Sequence, residues 1–324
     1  MTASGTGVRS RAAARRLALA SGSIALLALL AACAPATSAD SPFANRTLYR
    51  SPDSSAAIAA QTGATAAERE AAAQLASRPT AVWLVPERLP QGEVGPALDA
   101  LLDDAAGSAA LPVLVVYGIP DRDCGGQSSG GLARTPYLAW LDEIVEAIGE
   151  RRVVVVLEPD ALALSEACPD PAARVALVRE AAGRFARTSA VYLDGGHSAW
   201  LPAERMAELL DAAGVDRVRG FATNVSNTRS TDEERDYAHR VAAALGGGHA
   251  VIDVSRNGSG PPPDAEWCNV PGRTVGEDPA AIDDPVVDAV LWIKPPGESD
   301  GECHGGPPAG QWWPEAAIAL TGGG

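Results

Sequence analysis

Positive charge is scarce in this chain of 324 residues. Lys294 is its one lysine, and 26 basic residues stand against 41 acidic ones, which gives a formal net charge of −15. An acidic surface repels phosphate backbones and anionic lipid headgroups. Nucleic acid and the bare membrane surface are therefore excluded as expected partners, whereas a neutral ligand is compatible with this charge.

Patterns that carry metal chemistry are also missing. The four histidines, His197, His239, His249 and His304, include no pair at the HxxxH spacing of a metal site, and no EF-hand spacing occurs. We therefore expect no bound metal and no other cofactor. Chemistry at a nucleophilic serine is also disfavoured, although Ser129 lies in a loop rich in glycine and serine.

The first 33 residues have the pattern of an export signal. Four arginines precede an apolar run over residues 17–32 that is short for a membrane span and is followed by small and polar residues. The run ends in Leu-Ala-Ala-Cys33, which resembles the lipobox of bacterial lipoproteins, where the cysteine is lipidated; an ordinary signal peptide is the alternative. We predict a leader over 1–33, a tether over 34–41 and an exported, lipid-anchored monomer whose only membrane contact is Cys33.

Five cysteines are an odd number for an exported protein. Setting Cys33 aside leaves four that can pair, Cys124, Cys168, Cys268 and Cys303, with three connectivities open. Loss of the four leader arginines also changes the formal charge from −15 to −19.

Seven apolar runs typical of β-strands alternate with amphipathic segments such as PYLAWLDEIVEAIG at 136–149. Strands that are apolar throughout and separated by helices indicate a parallel sheet covered on both faces. Seven such units over residues 42–322 predict a single α/β domain, a TIM-like β/α barrel, with a doubly wound open sheet as the alternative. The runs occupy residues 81–85, 111–119, 153–158, 190–194, 220–225, 249–255 and 289–294.

Polar side chains follow the predicted strands at their carboxyl ends, where β/α barrels carry their active sites. Four are aspartates, Asp123, Asp160, Asp194 and Asp300, and we expect all four to face one cleft. Like charges in a partly desolvated site raise the pKa of at least one carboxyl, which can then act as an acid near neutral pH. Asp160 follows the most apolar strand and is the best candidate for that acid, although an aspartate at a strand end can also be a helix cap.

The aromatic composition favours a sugar ligand. Seven tryptophans outnumber three phenylalanines, and the indole face suits stacking on a pyranose ring. Trp200 and Trp267 lie in predicted loops, whereas Trp140 and Trp292 are predicted to be core residues. Together with the acidic cleft and export, these residues indicate a polysaccharide hydrolase.

Six motifs resemble, in order, those of the cellulases of glycoside hydrolase family 6, over residues 41–322. The resemblance implies a distorted seven-stranded β/α barrel and inverting hydrolysis of β-1,4-glucosidic bonds. It is carried by VVYGIPDRDCGGQSSGG, VVVVLEPDAL, YLDGGHSAWL, GFATNVSN, EWCNVPG and WIKPPGESDG.

The resemblance also implies roles for single residues. Asp160 matches the general acid, and Asp123 matches the aspartate that raises the pKa of the acid and can take the proton of the attacking water through a water chain. Asp300 matches a proposed base, and Asp194 a residue that positions the site and the sugar. The expected sugar-binding residues are Tyr117, Ser129, Trp83, His197, Trp200, Asn224, Trp267, Lys294 and Glu298, with Tyr117 and Ser129 lining the subsite of the cleaved bond.

Disulfides Cys124–Cys168 and Cys268–Cys303 are likewise implied by the resemblance. The connection between Lys294 and Trp313 is short, which predicts an open cleft and cleavage within cellulose chains. Alternatives are a cellobiohydrolase or mixed-linkage β-glucanase of this fold, or a surface lipoprotein that binds glucan without cutting it.

Overall fold

The computed structural model describes residues 41–186, 190–262 and 266–322. The predicted leader, the lipidation site Cys33 and the tether up to residue 40 lie outside these residues.

One curled sheet forms the centre of the domain. Its order is β1-β2-β3-β4-β5-β6-β8-β7, and the neighbours from β1 to β8 pair in parallel. The seven parallel strands confirm the predicted fold, and the two-residue β7 adds an antiparallel eighth strand. The strands are β1 (Val82–Leu84), β2 (Val113–Val116), β3 (Val154–Leu157), β4 (Ala190–Asp194), β5 (Gly220–Thr223), β6 (His249–Asp253), β7 (Ala280–Ala281) and β8 (Val287–Leu291).

The first parallel strand meets the chain just beyond the last one. Ala81 N–H donates to the Trp292 carbonyl at 2.9 Å, and Trp83 Nε1 donates to the Ile293 carbonyl at 2.8 Å. These two bonds bridge the seam of the barrel. The other neighbouring parallel strands are joined by ladders of backbone hydrogen bonds. The barrel is therefore distorted at this seam.

Helices surround the sheet. The predicted helix at 136–149 is observed as α4, which buries Tyr137, Trp140, Leu141, Ile144 and Ile148, a face with helical spacing. The helices are α1 (Ser55–Thr62), α2 (Ala66–Ala76), α3 (Val94–Gly107), α4 (Arg134–Ile148), α5 (Pro171–Phe185), α6 (Ala203–Ala212), α7 (Thr231–Leu245) and α8 (Pro314–Leu320).

The parallel strands are largely apolar because most of their residues are buried on both faces, whereas the two residues of β7 are exposed. In β2, Val113 and Val115 point into the barrel, whereas Leu114 and Val116 pack against the helices. Full burial of one such side chain stabilises the fold by about 1.5–3 kcal/mol. This two-sided burial accounts for the continuous apolar runs in the sequence.

The amino end of the barrel is closed. Phe43 is buried there with its ring centre 6.4 Å from that of Tyr192. Beside it, buried Asp288 accepts two hydrogen bonds from the Arg219 guanidinium at 2.8 and 2.9 Å and one from the Tyr192 hydroxyl at 2.6 Å. A cleft for a ligand must therefore lie at the opposite end of the barrel, where the strands have their carboxyl ends.

Candidate active site

A cleft of about 680 Å³ lies at the carboxyl ends of the strands. Loops that follow all seven parallel strands contribute to its lining, and it is open enough to leave Trp267 51% exposed. Most of the predicted site residues line it: Trp83, Tyr117, Asp123, Ser129, Asp160, His197, Trp200, Trp267, Lys294, Glu298 and Asp300. Asp194 and Asn224 do not.

Asp160 is held in the cleft by a turn with unusual backbone geometry. Strand β3 ends at Leu157, and both Glu158 and Asp160 then have positive φ angles, 52° and 66°. Such angles are costly for residues other than glycine and occur mainly where function or surrounding contacts impose them. The turn places the Asp160 carboxyl at the mouth of the barrel, directly beyond a fully buried strand.

Asp194 lies behind Asp160 and not in the cleft wall. Its Oδ2 accepts the backbone N–H of Asp160 at 2.9 Å and that of Gly196 at 3.1 Å. Burial raises the pKa of Asp194 to about 7, a change that these two bonds oppose and that Glu234 and Asp253 increase. The expectation that all four aspartates face one cleft is therefore wrong for Asp194, because its side chain is buried and its carboxylate is bonded to the backbone behind the cleft wall.

The pKa of Asp160 is raised well above the ordinary aspartate value. Burial is the largest cause, followed by the nearby carboxylates of Asp194 and Asp123, while Arg174 acts in the opposite direction. Asp160 can therefore keep its proton near neutral pH, as the apolar strand before it predicts.

Glu158 is fully buried and connects two loops of the site. Its carboxylate accepts the N–H groups of Gly118 and Ile119 at 3.1 Å and the Tyr137 hydroxyl at 2.9 Å. Burial raises its pKa to about 7, against the effect of these bonds. Glu158 thereby ties the end of β3 to the loop that leads from β2 to Asp123.

Asp123 is held by Ser128. The Asp123 Oδ2 accepts Ser128 N–H at 2.9 Å and Ser128 Oγ at 3.1 Å, and the same Oγ lies 2.8 Å from the Tyr117 hydroxyl. The neighbouring Ser129 lines the cleft beside them. Residues 126–130 spell G-x-S-x-G around Ser128, but its hydroxyl contacts Tyr117 and Asp123, not a histidine, so it lacks the partner of a nucleophilic serine.

Buried Arg122 supports this loop from below. Its guanidinium donates to the carbonyls of Tyr117 at 2.9 Å and Ser128 at 2.8 Å, and lies 4.7 Å from the centre of the Tyr117 ring. The Tyr117–Ser128–Asp123 chain is therefore fixed by one cation.

Asp300 is a buried anion with two cationic neighbours. Its Oδ2 accepts Arg256 Nη1 at 2.7 Å and Asn269 N–H at 2.9 Å, and Lys294 Nζ lies 3.6 Å from Oδ1. Burial acts to raise the pKa of Asp300, but Arg256, Lys294 and the Asn269 bond outweigh it, so the pKa lies below the ordinary aspartate value. The pKa values of Asp300 and Asp160 are thus shifted in opposite directions, which favours the ionised form of Asp300 and the protonated form of Asp160.

Asp253 organises the backbone beneath Lys294. Both of its oxygens accept main-chain N–H groups, from Ser226 and Lys294 on one oxygen and from Ser255 and Ile293 on the other, at 2.9–3.2 Å. Burial still raises its pKa. Asp253 joins the carboxyl ends of β5, β6 and β8.

Asn224 is fully buried beside Asp253. Its amide nitrogen donates to the carbonyls of Asp253 at 2.8 Å and Arg229 at 3.1 Å, and its amide oxygen accepts Arg229 N–H at 3.0 Å. These contacts engage both ends of the amide inside the protein, so the predicted contact of Asn224 with sugar is not supported by its position.

Aromatic rings are spread over the cleft. Trp83 stands edge-on to Tyr117, with ring centres 5.4 Å apart and planes at 89°. Trp200 lies 5.4 Å from His197, whose Nδ1 accepts Ala199 N–H, so that Nε2 carries the proton of the neutral ring. Burial and nearby Arg229 lower the pKa of His197 to about 4, which keeps it neutral. Trp140 and Trp292 are buried, as predicted.

Two disulfides brace loops of the site. Cys124–Cys168 and Cys268–Cys303 are both formed, which confirms the pairing implied by the resemblance. The first joins the loop of Asp123 to the segment after β3, and the second joins the Trp267 loop to the loop of Asp300.

Among residues 41–186, 190–262 and 266–322, no group of three His, Cys, Asp or Glu side chains is arranged to hold a metal ion. Within the same ranges, no helix combines the length and the apolar character needed to cross a bilayer.

The profile of the glycosyl hydrolases family 6 matches residues 43–322. The chain belongs to this family. It is 43% identical over 219 residues to Endoglucanase A of Cellulomonas fimi, which covers 67% of this chain and 48% of that protein. It is 40% identical over 312 residues to Endoglucanase A of Thermobispora bispora, which covers 92% of this chain and 65% of that protein. The chain thus spans about half and about two thirds of the lengths of these two relatives.

A solved structure has the same fold. The endoglucanase Cel6 of Mycobacterium tuberculosis, determined in complex with a methyl-cellobiosyl thio-cellobioside, superposes with a TM-score of 0.83 at 42% identity. The superposition covers 87% of this chain and 98% of that one. The family 6 fold is therefore present over nearly the whole described domain.

Several residues of this family 6 site were not recognised from the sequence. The sequence gives no specific signal for Arg256, and it does not distinguish Ser128 from Ser129. Asp253 and Glu234 could have been suspected, because each is a carboxyl that interrupts an apolar face of its strand or helix. Arg122 and Arg174 gave no comparable signal.

Proposed function

We propose that this chain hydrolyses internal β-1,4-glucosidic bonds of cellulose or a related β-glucan, with inversion at the anomeric carbon. One observation carries the proposal: a carboxyl with a strongly raised pKa, Asp160, shares an open cleft with the anion Asp300 and with Asp123. A glycosidase needs such a difference in protonation between its carboxyls.

Asp160 is the general acid in this scheme. Its proton passes to the glycosidic oxygen as the bond to the anomeric carbon breaks, so the leaving sugar departs as a neutral alcohol. Asp194 fixes the backbone of Asp160, and the repulsion between the two carboxyls contributes to the raised pKa of Asp160, which favours its protonated form.

The attacking water needs a proton acceptor on the other face of the sugar. Asp300 is poorly suited, because Arg256 and Lys294 stabilise its negative charge and so weaken it as a base. Asp123 carries no such ion pair among the described contacts, and its hydrogen-bonded chain to Ser128 and Tyr117 leads along the cleft. We therefore assign proton uptake to Asp123 through water, and charge stabilisation of the oxocarbenium-like transition state to Asp300.

Lys294, Glu298 and the tryptophans bind the glucan. Lys294 supplies a cation to sugar hydroxyls, while Trp83, Trp200 and Trp267 offer apolar faces to successive rings. The acidic surface of the chain does not oppose this ligand, because a β-glucan is neutral.

Cleavage within the chain, and not from its end, is supported by three observations. Two relatives that cover 92% and 91% of this chain, at 40% and 37% identity, are named endoglucanases. The connection from Lys294 to Trp313 is short, and Trp267 is half exposed. A long polymer can lie across such a cleft.

Export with a lipid anchor at Cys33 belongs to the same proposal and rests on the leader sequence. Intact mass measurement of the native protein tests it: a mature chain that begins at a diacylated Cys33 supports the anchor, and an unmodified amino terminus refutes it. Sedimentation of the purified domain tests the expected monomer.

Product analysis tests the activity. On carboxymethylcellulose we expect a rapid loss of viscosity, whereas a glucan-binding protein without activity leaves it unchanged. On cello-oligosaccharides, NMR at early times should show the α-anomer at the new reducing end; early β-anomer would refute inversion. Parallel assays on mixed-linkage β-glucan identify the preferred polymer.

A further inference from the structure

The cleft residue Glu298 is held by a side chain from the other end of the chain. Its Oε1 accepts a hydrogen bond from Ser55 Oγ at 2.7 Å, across 243 positions of sequence. Ser55 is the first residue of α1, which forms a hairpin with α2 over residues 54–77 outside the barrel. Both Ser55 and Glu298 are half-buried.

A second bond joins the same hairpin to the same loop. Trp312 Nε1 donates to Glu68 Oε1 in α2 at 3.2 Å, and Trp312 forms an isolated antiparallel bridge with Glu298. Gly297, the residue before Glu298, has φ +88°, and a Cβ there would lie 2.6 Å from the Trp312 ring. The loop that carries Glu298 is therefore fixed to the hairpin at two points and has little space to shift.

Ser55 is not needed to begin its own helix. The cap of α1 is Ser54, whose Oγ accepts Ala57 N–H at 3.2 Å. The Ser55 hydroxyl donates instead to a carboxylate that lines the cleft. Adjacent serines thus have separate functions, one in the helix and one at the site.

We propose that Ser55 is a positioning residue for Glu298, and that the α1–α2 hairpin is thereby part of the sugar-binding site. The bond occupies Oε1 and restricts the rotamers of a long, flexible side chain, so Oε2 is presented to a sugar hydroxyl without a further loss of freedom on binding. Without Ser55, the Glu298 carboxylate must be ordered each time a glucan binds. This inference rests on the proposed function, since it takes a glucan as the ligand.

The test separates binding from catalysis. Cellotetraose is titrated calorimetrically into Asp160→Asn protein, which removes the acid and prevents turnover, with and without Ser55→Ala. We expect Ser55→Ala to weaken cellotetraose binding roughly 5- to 10-fold, the size of one lost hydrogen bond. In the active background, KM should rise by a similar factor while kcat stays within about twofold.

Two variants serve as controls. Ser55→Thr keeps the hydroxyl and should restore most of the affinity. Ser54→Ala removes the helix cap and should lower the melting temperature without weakening cellotetraose binding. In the Glu298→Ala background, Ser55→Ala should have no further effect, because the group that it positions is gone.

Affinity of Ser55→Ala equal to that of the parent, or a loss that persists in full without Glu298, would overturn the inference. A protein that binds cellotetraose through Ser55 and Glu298 but hydrolyses no β-glucan would instead overturn the proposed function. If the parent does not bind cellotetraose, the inference is overturned, whereas the proposed function is still decided by the hydrolysis assays.

Discussion

The Asp194 carboxylate accepts the backbone N–H of Asp160 at 2.9 Å, so the proposed acid is positioned by a second aspartate that does not line the cleft. The bond acts on the main chain of Asp160, which has a positive φ angle, and leaves the side chain of Asp160 free to carry its proton. Proximity of the two carboxyls also contributes to the raised pKa of Asp160.

Asp194→Asn should move the alkaline limb of the kcat profile to lower pH. The acid Asp160 must be protonated, and removal of the neighbouring carboxyl charge lowers its pKa, so activity is lost earlier as pH rises. A fall in kcat of roughly 10-fold or more is expected from imperfect placement of the acid. Asp211→Asn, an exposed aspartate on α6, is the control of equal charge change. An unshifted limb in Asp194→Asn contradicts the assigned role.

Asp160→Ala should abolish cellulose hydrolysis but spare substrates that need no acid. With cellulose, loss of general acid catalysis is worth roughly 10²–10⁴-fold. An aryl cellobioside with a low-pKa phenol leaves without protonation, so its rate should fall much less. The ratio of the two losses is measured with the same enzyme preparation, and equal losses would count against Asp160 as the acid.

Arg256→Met should destabilise the fold by about 3 kcal/mol at neutral pH, because it leaves the buried Asp300 charge with Lys294 as its one nearby cation among the described ion pairs. The lowered pKa of Asp300 contributes stability above the usual aspartate range, and this contribution is lost as pH falls through the folded pKa. The difference between parent and variant in urea unfolding should therefore shrink on acidification. Arg217→Met at an exposed arginine is the control, and a difference that grows on acidification refutes the ion-pair account.

Glu234→Gln should flatten the dependence of stability on pH. Glu234 is fully buried in α7, accepts Ser198 N–H at 2.9 Å, and has a pKa raised by burial from 4.5 to about 7. A raised carboxyl pKa means that the folded state holds the proton more tightly, so the unfolding free energy falls as pH rises from 4.5 to 7, by up to ~3 kcal/mol for this group. Gln keeps the acceptor and cannot ionise.

Melting temperatures between pH 4 and 8 measure this effect. Glu234→Gln should lose less stability than the parent over that window, whereas Glu146→Gln on the exposed face of α4 should follow the parent. Parallel curves for Glu234→Gln and the parent would show that folding does not raise the pKa of Glu234, and would refute this account. Since Ser198 lies between His197 and Trp200, activity of Glu234→Leu, which lacks the acceptor, reports on the placement of that loop.

The parallel strands were predictable because most of their residues are buried on both faces, and such burial leaves an apolar run that sequence inspection detects. The two exposed residues of β7 leave no such run. The last strand was predicted at 289–294 but lies at Val287–Leu291. Asp288 interrupts its apolar pattern, and only the fold brings Arg219 and Tyr192 to that carboxylate. A local sequence pattern cannot show that a buried carboxylate is hydrogen-bonded by residues of β4 and of the segment just before β5.

Within the site, strand ends located Asp123, Asp160 and Asp300 correctly but could not orient Asp194 or Asn224. Both lie at strand ends as the other residues do, but their side chains bond to backbone groups inside the protein, and position along a strand does not predict those partners. The sequence alone does not distinguish Ser128 from Ser129, and only the geometry of the loop shows that Ser128 contacts Asp123. The disulfide pairing needed the family resemblance, because cysteine counting left three connectivities open.

The closed amino end of the barrel determines where the domain can be attached to a surface. Residues 41–49 enter there: Ser41 Oγ donates to the Asp288 carbonyl at 3.5 Å, Phe43 packs on Tyr192, and Leu48 bridges to Leu111 before β2. Residue 41, the first of the described residues, therefore lies at the end of the barrel opposite the cleft. A surface linkage made at this residue would leave the carboxyl ends of the strands accessible to a polysaccharide that is too large to diffuse freely.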